Sequence, residues 1–76
     1  MTIQEQLEIF IKQFRIGRVM LYDDFLTIKV ARGFARSVAK DANEKIEALG
    51  LNLVAIPTNF LADDVISIQS NEIGYV

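Results

Sequence analysis

The sequence has no cysteine, no histidine and no tryptophan, and one proline in 76 residues. Without cysteine there is no disulfide, and without cysteine or histidine the usual zinc ligands are missing. The same absences remove Cys-His and Ser-His nucleophile pairs and haem ligation through histidine. No apolar run approaches the roughly 20 residues that a membrane-crossing helix needs. The opening Met1-Thr2-Ile3-Gln4-Glu5 is polar and acidic, not a basic segment followed by an apolar stretch. These features lead us to expect a cytoplasmic protein that spans no membrane, holds no metal or other cofactor, and is not an enzyme.

Hydrophobic residues make up 51% of the chain and the mean hydropathy is +0.27. A chain this short forms one domain, expected here over residues 1–76, with a high ratio of surface to volume. It has more apolar side chains than its own core needs, which points to surface covered by another chain. The net charge of −2 argues against indiscriminate binding to nucleic acid. The charge is nevertheless segregated. Between residues 12 and 40, seven basic residues face Asp23 and Asp24, a local net of +5; elsewhere Lys45 faces eight acids, a net of −7.

Thr2-Ile3-Gln4-Glu5 reads as a capping box, in which hydroxyl and carboxylate each satisfy an amide of a first helical turn. Ile3, Leu7, Phe10, Ile11 and Phe14 recur at helical spacing behind it, so a helix is expected over 3–16, with Gly17 at its left-handed end. Val19 to Tyr22 reads as a short strand. Leu26, Ile28 and Val30 alternate with Phe25, Thr27 and Lys29 as a half-buried strand does, with Asp23-Asp24 as the hairpin turn. A second helix is expected over 31–49, burying Phe34, Ala35, Val38, Ala42, Ile46 and Leu49 and stopping at Gly50. Leu51 to Ile56 is apolar on both sides of the pleat, as a central strand covered on both faces is, and Pro57 should end it. Thr58 to Asp64 reads as loop, and Val65 to Gln69 as a fourth strand. The fold expected is α+β, ordered α-β-β-α-β-β, with a mixed four-stranded sheet, one parallel β-α-β crossover and both helices on one face.

Three groups of residues invite a functional reading. Arg32, Gly33, Arg36 and Lys40 surround the start of the second helix, where no capping side chain precedes Phe34. Open amides, a glycine and two arginines would suit a phosphate, and the basic stripe would suit a nucleic-acid backbone. The plain alternative is a solvated helix face with Lys40 paired to Glu44. The pairs Asp23-Asp24 and Asp63-Asp64 would suit a hard cation if the two turns met, although aspartate is common in turns for conformational reasons. Third, with both helices on one side, the other sheet face would present Met20, Tyr22, Phe25, Val54 and Ile56. Met and aromatic residues are enriched at the centres of interfaces. The C-terminal Ile73, Tyr75 and Val76 could instead fold over that face.

The chain has neither the GxxG loop of KH modules nor the aromatic strand motifs of RRM modules. Its element order also fits poorly with double-stranded-RNA-binding and ferredoxin-like modules. The expectation is a non-enzymatic protein–protein interaction module, an adaptor or inhibitor, acting as a homodimer through the apolar sheet face. The rival is a binder of nucleic acid or a phosphorylated ligand through the basic part of the second helix.

Overall fold

A computed structural model describes residues 1–15, 17–60 and 63–71. The order is α1 (Ile3–Gln13), β1 (Arg18–Leu21), β2 (Phe25–Val30), α2 (Ala35–Leu49), β3 (Leu53–Phe60) and β4 (Asp63–Ser70). This is the expected α-β-β-α-β-β succession. The expected tail side chains Ile73, Tyr75 and Val76 lie outside the described residues.

The capping box forms as read. The Glu5 amide donates to Thr2 Oγ1 at 3.1 Å and the Thr2 amide to Glu5 Oε1 at 3.0 Å. The Thr2 amide, and after it the Thr2 hydroxyl, hold the Glu5 carboxyl below its ordinary value. Leu7, Phe10 and Phe14 are buried, and the Phe10 and Phe14 rings stack at 5.1 Å. The helix stops at Gln13, short of residue 16, because Phe14 is already extended (φ −136°, ψ 95°). Gly17 is therefore not the helix cap. It turns the chain into β1 at φ +73°, against the Lys29 carbonyl, where a Cβ would collide. A positive φ with so close an approach requires glycine.

The second helix begins at Ala35, four residues later than expected, and ends at Gly50 (φ +69°), whose amide reaches the carbonyls of Glu47 and Ile46. Phe34 was expected in the core and is instead 57% exposed. It precedes the helix with φ −106° and ψ 1°, so its side chain falls off the helical stripe.

All four strands pair antiparallel in the order β1-β2-β4-β3, so the sheet is not mixed. The expected β-α-β unit is present in a split form. β2 and β3 do run the same way, but β4 lies between them and bonds to both. Pro57 does not end β3; it pairs with Ile66 and the strand continues to Phe60. Ala55 turns its N–H and C=O away from β4, and by the alternation of a ladder Pro57 turns its nitrogen the same way. A missing donor is harmless on that outer side.

Leu26, Ile28 and Val30 of β2, Ile66 and Ile68 of β4, and Leu53 and Ala55 of β3 form the buried sheet face. They meet Leu7, Phe10 and Phe14 of α1 and Ala35, Ala39, Ala42 and Ile46 of α2. The small alanine face lets α2 settle closely on β3, while α1 lies over β2 and β4. Both helices thus cover one face. Gln6 is buried as well, and its Oε1 accepts the Asn52 amide at 2.7 Å, tying α1 to the start of β3.

Candidate functional site

The residues singled out around α2 are not assembled as an open anion site. Asp64 of β4 is buried beneath the helix start, and its Oδ2 accepts the amides of Gly33 at 2.6 Å and Ala35 at 3.3 Å. The carboxylate thus supplies the cap that the local sequence lacks, and its charge suits the positive end of the helix dipole. Two amides offered to a phosphate in the sequence reading are already taken. Arg32 is exposed in the turn before the helix. Arg36 and Lys40 line an open groove of about 470 Å³ between α2 and β3, with Asn43, Glu44, Glu47, Ala55 and Pro57. Two glutamates in the same groove offset the two cations.

The aspartate pairs do not meet. Asp64 pairs with Val30 at one end of β2, whereas Asp24 precedes Phe25 at the other. At about 3.4 Å per residue the ends of β2 are roughly 17 Å apart. Among the described residues, no group of three or more Asp, Glu, His or Cys is placed to hold a metal ion.

Among the described residues nothing covers the other sheet face, which carries the expected side chains in an arrangement that the sequence reading did not anticipate. Along one row lie Tyr22, Phe25, Gln69 and Val54; along the next lie Met20, Thr27, Ser67 and Ile56. Tyr22 stacks on Phe25 with ring centroids 4.5 Å apart, and its hydroxyl lies 4.0 Å from the Met20 sulfur. Met20 is 54% exposed, Tyr22 43% and Ile56 37%, while Phe25 and Val54 are half-buried. Because β4 separates β2 from β3, Thr27, Ser67 and Gln69 form a polar midline between two apolar flanks. The flanks are two strand spacings apart in the Phe25–Val54 row, about 10 Å, and three in the Met20–Ile56 row, about 14 Å.

The two sheet edges differ. At β3, Asn43 of α2 clamps the strand from outside: its Oδ1 accepts the Ala55 amide at 2.8 Å and its Nδ2 donates to the Ala55 carbonyl at 3.1 Å. With Pro57 two residues on, that edge is closed to further pairing. Among the described residues, β1 has no such guard. Leu21 faces the helix side but lies beyond the helices and is 44% exposed. A period-two pattern assigned Leu21 to neither face, and only the position of β1 at the uncovered edge explains its exposure.

No protein-family profile matches this chain, and comparison with curated proteins and with solved structures finds no match. Among the described residues, no helix is long and apolar enough to cross a membrane.

Proposed function

We propose that this chain is a small, non-enzymatic protein–protein interaction module of the cytoplasm that works as a homodimer. The observation that carries the reading is the bare sheet face, where Met20, Tyr22 and Ile56 are exposed opposite a core that is otherwise closed. Water-exposed aromatic, Met and aliphatic side chains on a flat sheet supply the anchors that protein interfaces use. The carboxylates that would have to perform chemistry are dispersed, and Asp64 is engaged in capping α2. Binding of nucleic acid or a phosphorylated ligand through Arg32, Gly33, Arg36 and Lys40 has weaker support, because Asp64 fills the amides and Glu44 and Glu47 share the groove.

Sedimentation equilibrium over a micromolar concentration series tests the homodimer. A single 8.6 kDa species throughout refutes it. Affinity capture from host extract, with and without nuclease, tests the class of partner. A protein retained after nuclease and lost with Ile56→Lys supports the module. A signal that vanishes with nuclease and with Arg36→Gln, and that weakens steeply with salt, supports the rival.

A further inference from the structure

We infer that two copies of this chain join along their β1 edges, antiparallel about a two-fold axis at Met20, to form one continuous eight-stranded sheet. The inference rests on the homodimer reading above, but it moves the dimer contact from the sheet face to the β1 edge and leaves the face around Ile56 to a protein partner.

The first support is the state of the edge. The Tyr22 amide donates to the Phe25 carbonyl at 2.9 Å, so Tyr22, Met20 and Arg18 turn their backbone groups inward to β2. By alternation, Val19 and Leu21 turn theirs outward. Among the described residues, nothing bonds to those outward groups. β1 is short, which is itself a common defence of an edge, but it carries no proline, no lysine and no clamp. The opposite edge carries both Asn43 and Pro57, so the contrast lies within one sheet.

The second support is self-complementarity. β1 runs from Arg18 at one end to the turn acids Asp23 and Asp24 at the other. A parallel pair would align like charges, whereas an antiparallel pair opposes them. With Met20 opposite the partner's Met20, Val19 lies opposite the partner's Leu21 and exchanges both backbone bonds with it. Each half of the pair repeats this, giving four bonds. Arg18 then faces the partner's Tyr22 ring and lies one position from the partner's Asp23, the turn residue that follows Tyr22 on the β1 side, a placement suited to cation–π and charge attraction. Exposed Met20 and Leu21 are covered, one on each face of the sheet.

The experiment compares association of the parent, Leu21→Pro, Ile56→Lys, Arg18→Glu and Arg18→Glu/Asp23→Lys by sedimentation equilibrium, with circular dichroism as the check on folding. Leu21→Pro removes only an outward N–H, so the fold should remain while two of the four bonds go, weakening the dimer at least about tenfold. Ile56→Lys, on the far flank, should leave the dimer intact. Arg18→Glu should weaken it and the double variant should restore it. Within one chain, residues 18 and 23 lie at opposite ends of β1, so such rescue requires a partner. Amide exchange in the parent needs no variant: protection of Val19 and Leu21 should rise with protein concentration. A dimer that survives Leu21→Pro and is lost with Ile56→Lys overturns the edge pairing but keeps the homodimer. A parent that is monomeric throughout overturns both. Protection at Val19 and Leu21 that is independent of concentration means the chain covers its own edge, and it also overturns the proposal.

Discussion

Replacing Asp64 should reveal how far α2 depends on a residue 29 positions beyond its first, Ala35. In Asp64→Ala the amides of Gly33 and Ala35 lose their acceptor. The two losses are unequal. Gly33 is exposed, so water can take the place of the carboxylate, but Ala35 is 1% exposed and its amide is stranded. A buried donor left unsatisfied costs about 1–3 kcal/mol, and the lost charge–dipole attraction adds about 0.3–1 kcal/mol. We therefore expect a total of about 2–3 kcal/mol, against a whole-domain stability of roughly 4–11 kcal/mol for a chain of this length. At about 4–8 °C per kcal/mol for a small domain, the melting temperature should fall by roughly 10–20 °C. Asp64→Asn keeps an oxygen acceptor and loses the charge, so it should fall by less than half as much. The assay is thermal and urea unfolding followed by circular dichroism, with amide exchange read at Gly33 and Ala35. If Asp64→Ala melts within about 2 °C of the parent, with unchanged exchange at Ala35, the capping argument is wrong.

Gly17→Ala should be among the most damaging single changes. It combines a left-handed backbone, worth about 1–3 kcal/mol, with a collision at the Lys29 carbonyl; a denaturation midpoint close to the parent's would refute the close approach. Asn43→Ala should cost about 1 kcal/mol and unprotect the Ala55 amide, which native-state exchange reads directly; the freed β3 edge should also make the variant more prone to aggregate. Thr2→Ala should lower stability by about 0.5–2 kcal/mol, read from the urea midpoint. The Glu5 carboxyl is held low by its bonds from Thr2, so its contribution is whole above the ordinary glutamate value of 4.5. It fades as pH falls through the lower folded value, and Glu5→Gln should flatten that part of the stability–pH curve.

The parts of this fold that local chemistry decides were legible in the sequence. The Thr2–Glu5 capping box, the Leu7 and Phe10 stripe, the alternation in β2 and the Gly50 stop each depend on neighbours a few residues away. What depends on distant partners was not legible. No pattern around Phe34 reveals that its helix is capped from β4, since Asp64 sits beside Asp63 in what reads as turn chemistry. Pro57 ended a strand in the reading because a central position was assumed; on an outer edge the missing N–H has no effect. The same misplacement of β4 made the bare face read as one continuous apolar patch. Its residues Met20, Tyr22, Phe25, Val54 and Ile56 were correctly assigned to it, and Thr27, Ser67 and Gln69 divide them. The absence of local capping at α2 was a true signal. It marked an acceptor supplied from within the chain, and an arriving ligand was the wrong inference from it.

The position of β4 also bears on how the chain is made. Synthesis delivers β1, β2, α2 and β3 first; β1 can already pair with β2, but β2, α2 and β3 cannot finish their structure at that point. β2 and β3 each await a neighbour on the same missing strand, and α2 awaits the carboxylate that strand carries. Contacts of such long sequence separation form slowly, because chain entropy is lost before they are rewarded. A nascent chain that has emerged only as far as β3 therefore has no stable subset of this fold to occupy. Folding should wait for β4 and then complete in one cooperative step, so a ribosome stalled before residue 63 should hold a chain that proteases still cut freely.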